Sequence, residues 1–285
     1  MHEWPLVIFT LLMQLAIGCV VTVWYCQTFA LSGMDGDKRL AVARPAILCA
    51  LVIGAIGLLA SMTHLGNPMH ALYTLSHVAS SWMSREILFT ALFMALLFLT
   101  AVVVLVKKKV PTALLALTAL AGVADIFVMS AIYDNSRFIL WQGWGTYAGF
   151  YGSALMMGSL LGALCMQSPL RRLAESDDAG LTVSLLRLFI VGILLATLAV
   201  IAMLAVATSG LTSSLSVGIT STAAAANVEA LTIGRYVLLA VALLLTVNYA
   251  VKKRQALPGG LLSLALVVTV VGELLGRYAF FSVGG

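Results

Sequence analysis

The chain has 285 residues, 62% hydrophobic and 9% charged, with a mean hydropathy of +1.08, whereas a soluble domain is about 25% charged. That composition excludes a soluble globular protein: apolar stretches long enough to cross a hydrocarbon core of roughly 30 Å take up nearly all of the length, as in a polytopic membrane protein. The formal charge of +5 does not point to nucleic acid, because the basic residues sit at the ends of apolar runs and are not interleaved with exposed aromatics.

Apolar runs of about 20 residues bounded by Pro, Gly and charge predict the elements in order. The first span, near 5–30, follows Met1-His2-Glu3-Trp4-Pro5, lacks the basic n-region of a signal peptide, and is expected to be retained. The second, near 44–63, ends at Ser61-Met62-Thr63-His64-Leu65-Gly66-Asn67-Pro68. Asn67-Pro68 reads as an N-cap and first helical residue of a short interfacial helix, with Leu72, Leu75, Ala79 and Trp82 on one stripe and His70, Thr74, His77 and Ser81 on the other. A third span near 85–106 opens with Ser84 as N-cap and Glu86 in its first turn, where the positive helix end favours a carboxylate. Spans near 112–132, 146–166, 182–206, 234–251 and 258–281 complete the chain, with a polar connection over 207–233. The expected fold is all-α, one domain over 1–285 with eight transmembrane helices, because the bilayer requires backbone groups to be paired within each segment and the runs lack barrel alternation.

Of the 16 basic residues, 12 fall on one side: Lys38, Arg39, Arg44, Lys107, Lys108, Lys109, Arg171, Arg172, Arg187, Lys252, Lys253 and Arg254. The positive-inside rule makes that side cytoplasmic and puts both termini outside. Arg85, Arg137, Arg235 and Arg277 lie at or inside helix ends on the other side.

Ionisable groups at membrane depth are costly, so each is a site hypothesis. With this topology His64, Glu86, Glu273 and Arg277 all gather toward the outer face. Each also has a structural reading: His64 as a helix-end residue beside Gly66 and Pro68, Glu86 as dipole compensation, and Glu273–Arg277 as an i,i+4 pair within the close-packing motif Gly272-x-x-x-Gly276. Asp125, in the fourth span with no basic residue nearby in sequence, is either paired across helices or protonated. Cys19, Cys26, Cys49 and Cys165 lie in apolar runs without a C-x-x-C pair, so neither a disulfide framework nor an iron–sulfur ligand set is expected, and no metal site. The three internal histidines share one stretch, so a haem held between two facing helices is not expected either.

Three stretches then carry a resemblance. His2-Glu3-Trp4-Pro5-Leu6, the run from Ser61-Met62-x-His64-Leu65-Gly66-x-Pro68 to Ser84-x-Glu86-Ile87, and Gly272-Glu273-Leu274-x-Gly276-Arg277 are similar to the membrane anchor subunits of bacterial dimethyl sulfoxide reductases, eight-helix proteins without haem. The similarity spans essentially the whole chain. It implies an inner-membrane location, a molybdopterin catalytic subunit and a four-cluster iron–sulfur subunit docked on the periplasmic side, and menaquinol bound near the outer face by the residues matching His64 and Glu86. Relatives usually carry Arg at His70, Asn at Tyr73, Arg at Ala131 and an apolar residue at Asp125, departures that concern the outer surface and not the scaffold.

The chemistry suits those two residues. Oxidising a quinol removes two protons and two electrons, and an imidazole with an ordinary pKa of about 6.5 accepts such a proton at neutral pH. His64 is expected to take a hydroxyl proton and Glu86 to orient or relay it, with electrons passing to the iron–sulfur partner. Arg85, Glu273 and Arg277 are placed around the quinol, Glu273 and Arg277 chiefly to hold helix ends together beside it, while Asp125, His70 and His77 have no assigned role. The competing readings are a polysulfide-reductase-type quinone anchor for another terminal reductase and an eight-span transporter, whose polar groups would line the midplane between inverted repeats.

Overall fold

Seven helices long and apolar enough to cross a bilayer run through residues 4–63, 75–138, 141–174, 222–253 and 259–282, the part of the chain that the computed structural model describes. They are α1 (Trp4–Tyr25), α2 (Gly36–Met62), α3 (Trp82–Val106), α4 (Thr112–Asp134), α5 (Trp144–Ala174), α6 (Thr222–Lys253) and α7 (Gly259–Ser282). Among the described residues there is no strand. The span expected near 182–206 lies outside them, as do His64, Gly66, Asn67, Pro68, His70 and Tyr73.

Several boundaries differ from the sequence expectation for local reasons. After a π-helical turn over Cys26–Ala30, α2 begins well before residue 44, because Asp35 caps it and Arg39 is drawn back onto the end of the first span. Arg39 donates from Nε to Gln27 Oε1 at 3.1 Å and from Nη2 to the Gln27 carbonyl at 2.9 Å, while Gln27 Nε2 donates to the Arg39 carbonyl at 3.0 Å. Residues 222–233, expected as polar connection, already belong to α6, in keeping with the helix propensity of Ala223-Ala224-Ala225-Ala226. In place of a continuous interfacial helix through Leu75 and Trp82, the described residues form a 3₁₀ turn over Leu75–His77, and Ser81 caps α3 by accepting from Ser84 N at 3.4 Å. Ser84 is thus a buried residue inside the helix, not its cap, and Glu86 sits in the second turn, beyond the strongest part of the helix dipole.

Helix α1 is the hub: it packs against α2, α4, α5 and α7, while α3 packs on α2 and α4, and α6 on α7. Met13, Ala16, Ile17, Cys19, Val20 and Val23 of α1 are fully buried. In a bilayer lipid is as apolar as leucine, so helix contact depends on close packing of small residues. Gly18 and Gly158 supply the tightest case. A Cβ added to Gly158 would lie 2.3 Å from the Gly18 Cα and 2.1 Å from its carbonyl carbon, so the two backbones cross in direct contact. Gly158→Ala is therefore expected to cost about 1–3 kcal/mol by overpacking and to lower the melting temperature of the purified protein. Gly260→Ala, with open space around its Cβ, is the neutral comparison, and equal stability of the two variants would refute the crossing.

Ring contacts identify one end of the bundle. Trp4 stacks on Tyr278, Trp82 meets Phe127 and Phe127 meets Tyr147, and Tyr133, Trp141, Phe150, Phe280 and Phe281 form one cluster, so the starts of α1, α3 and α5 and the ends of α4 and α7 lie together. The Trp141 indole donates to the Phe280 carbonyl at 2.8 Å, tying the α4–α5 connection to α7. The opposite end carries Lys38, Arg39, Arg44, Lys107, Lys108, Lys109 and Arg172.

Candidate functional site

Two buried polar centres lie in the half of the bundle nearest the aromatic end. Thr90, Asp125, Gln14, Ser153 and Glu273 each sit about nine residues in from that end of their helices, a depth of roughly 13 Å at 1.5 Å per residue. Five helices thus place their polar side chains on one level.

The first centre lies between α3 and α4. Glu86 and Thr90 are one helical turn apart on α3, and the Thr90 hydroxyl is 3.0 Å from Asp125 Oδ1 and 3.2 Å from Oδ2. Asp125 is fully buried. The sequence left it paired or protonated; its partner is this threonine hydroxyl across the helix interface. Glu86 Oε1 is a buried acceptor without a hydrogen-bond donor among the described residues. Neither carboxyl forms an ion pair with a described cation. An unmatched buried acceptor on this scale costs about 1–3 kcal/mol, so it is a place where a donor is wanted.

Arg85, next to Glu86, is committed elsewhere. Its Nε donates to the Val78 carbonyl at 2.9 Å, its Nη2 to the Ala79 carbonyl at 2.7 Å, and the guanidinium lies 4.2 Å from the Trp82 ring centroid. It clamps the turn before α3 onto the helix that carries Glu86.

The second centre joins α1, α5, α6 and α7. Glu273 and Arg277, an i,i+4 pair by sequence, do not pair with each other. Glu273 Oε2 accepts from Arg235 Nη2 of α6 at 2.8 Å and from the Ser153 hydroxyl of α5. Arg277 Nη2 donates to Gln14 Oε1 of α1 at 2.8 Å, and its guanidinium lies 3.8 Å from the Phe150 centroid, a cation–π contact. The reason is the glycine motif. A Cβ on Gly276 would fall 2.3 Å from Arg235 Cδ and 2.6 Å from its Nε, so the missing side chain is the channel through which Arg235 reaches Glu273. Gly272 brings α6 close in the same way, with Leu238 Cβ at 3.2 Å from its virtual Cβ. Gln14 Nε2, Arg235 Nε and Glu273 Oε1 remain buried without partners among the described residues.

The expected residues therefore fall into two groups: Glu86 and Arg85 on α3, and Glu273 and Arg277 on α7, a helix that packs on α1, α5 and α6. His64 lies outside the described residues. Gln14, Thr90, Ser153 and Arg235 were not singled out from the sequence. Gln14 was legible in principle as an amide deep within the first apolar run, whereas Thr90 and Ser153 look like the many hydroxyls that bond back within their own helices, and Arg235 looked like a helix-end charge.

A family model described as DMSO reductase anchor subunit (DmsC) matches residues 1–283. The chain is 33% identical over 297 residues to the C subunit of the anaerobic dimethyl sulfoxide reductase of Escherichia coli (strain K12), covering 98% of this chain and 94% of that one. It is 27% identical over 290 residues to the YnfH chain of anaerobic dimethyl sulfoxide reductase from the same organism, with the same coverage. With the corresponding C subunit of Haemophilus influenzae it shares 32% identity over 164 residues, 56% of this chain and 57% of that one.

Proposed function

The chain belongs to the DMSO reductase anchor subunit family, and from that premise we propose that it is the quinol-oxidising membrane anchor of a dimethyl sulfoxide reductase-type complex in anaerobic respiration. In this reading it crosses the bacterial inner membrane eight times with both termini outside the cytoplasm. The basic end faces the cytoplasm, a reading supported by the distribution of Lys and Arg, and the aromatic end faces the periplasm, where an iron–sulfur subunit with four clusters and a molybdopterin catalytic subunit dock.

The single observation that carries the site assignment is the buried Glu86 Oε1 with no donor among the described residues, on the helix that follows the His64 segment. A hydroxyl is the donor such an atom takes, and menaquinol bound there would supply two hydroxyl protons and two electrons to the complex. His64 accepts a hydrogen bond and then a proton at its imidazole. Glu86 accepts the second hydroxyl or takes the proton from His64 toward the periplasm, a transfer that needs a positioned base within hydrogen-bond reach. Arg85 holds the turn before α3, and so the start of that helix, in place. Glu273 and Arg277 close the second centre, bracing α5, α6, α7 and α1 at the same depth.

His64→Ala is expected to abolish quinol-supported reduction of the terminal acceptor in membranes while leaving reduction by an artificial dye, which delivers electrons to the partner subunits directly, at its original rate. Equal loss of both rates would mean that the complex had failed to assemble and would remove the support for a quinol role.

A further inference from the structure

A cleft of about 400 Å³ opens between α2 and α5 at the basic end, lined by Ala41 and Pro45 on one side and Cys165, Ser168, Pro169 and Arg172 among others on the other. It is built by two prolines inside helices. Each removes the N–H that would bond the carbonyl four residues before it, and those carbonyls belong to Ala41 and Cys165, both on the cleft wall. The cleft wall therefore includes two residues whose carbonyls lack the usual helical donor, the hydroxyl-bearing Ser168, and an exposed guanidinium at Arg172 that forms no ion pair with a described acid. Arg44, also exposed, sits one helical turn from Ala41 on the same stripe of α2. The remaining lining is apolar.

We propose that this cleft is a binding site for an anionic glycerophospholipid with a hydroxylated headgroup. Its phosphodiester rests on Arg172 with Arg44 at the flank, its headgroup hydroxyls donate to the freed carbonyls and Ser168, and an acyl chain follows the proline-lined wall. Three features select this occupant. The one charged side chain among the described lining residues is Arg172, which pairs with no described acid, and this favours a net negative lipid over a zwitterionic one. The carbonyls require a ligand that donates as well as accepts, and the cleft lies at the ends of the spans, where headgroups sit. The site is separate from both polar centres, and its occupant does not depend on which face of the membrane the basic end meets.

The test is phospholipid analysis of the full chain purified from membranes. Phosphatidylglycerol is expected to be retained above its bulk share and above phosphatidylethanolamine. Arg172→Gln is expected to reduce that retained fraction about fivefold, the factor for losing one basic residue beside anionic lipid, and Ala41→Phe, which fills the cleft from an exposed position, to reduce it as well. Lys109→Gln, an exposed charge at the same end but away from the cleft, should leave it unchanged. Equal phosphatidylglycerol in all four proteins, equal enrichment of phosphatidylethanolamine, or release of the lipid by inorganic phosphate alone, which would mark a site for a small anion, would each overturn the assignment.

Discussion

Glu86→Gln is expected to lower quinol-supported turnover about a hundredfold or more, the usual contribution of a positioned general base, with dye-supported turnover unchanged. The substitution is nearly isosteric and leaves the helix cap at Ser81 and the Arg85 clamp untouched. Because Glu86 lies in the second turn and not the first, little helix-dipole stabilisation is lost. What disappears is a buried oxygen that can accept a proton outright. Asp125→Asn is the informative companion. An amide oxygen still accepts from the Thr90 hydroxyl, so the helix contact survives, and a loss much smaller than that of Glu86→Gln is expected. If both variants fall equally in the quinol assay, the pair acts as one unit; if Glu86→Gln retains full quinol activity, Glu86 is a structural acceptor and the proposed site is wrong.

Arg235→Ala is expected to destabilise the protein by about 3–5 kcal/mol, because it leaves the Glu273 charge buried with its cation gone. Glu273 is 1% exposed and Arg235 12%, so water cannot compensate either partner. The Ser153 hydroxyl and Arg277, which is occupied by Gln14 and Phe150, do not replace the lost ion pair. The double variant Arg235→Met with Glu273→Leu should recover much of the loss, since apolar residues of similar volume often substitute for a buried ion pair without penalty. Membrane-inserted yield and thermal melting in detergent check both expectations. A single variant as stable as the parent would show that the pair contributes nothing. A double variant that folds but loses quinol-supported turnover would move Glu273 from bracing helices to contacting quinol.

How far the sequence could be read depended on the range of the interaction. The apolar runs gave the approximate positions of the seven described helices, because a bilayer admits only helices or closed barrels and these runs lack the alternation of barrel strands. Glu86 and Asp125 were visible as charges in apolar surroundings. Their relation was not, since Thr90 and Asp125 are 35 residues apart and nothing local marks that threonine as a donor to another helix. The Glu273–Arg277 spacing predicted a pair that does not form, because the helix repeat brings two side chains near each other without saying which neighbouring helices compete for them. The cap of α3 was misplaced for a similar reason. Ser81 and Ser84 are chemically equal candidates, and the turn over 75–80, held by Arg85, selects the first.

The sequence by itself determined that this is a helical multi-pass protein, the uneven distribution of its basic residues and the family it belongs to, since hydropathy, charge placement and matching stretches are properties of the chain read in one dimension. Only the tertiary structure decided which polar groups meet: Glu273 with Arg235 across the space left by Gly276, Arg277 with Gln14 and Phe150, and Asp125 with Thr90. Those pairings depend on which helices touch and at what separation. In a membrane that is set by small residues such as Gly18 and Gly158, whose effect is exerted on backbones far away in sequence.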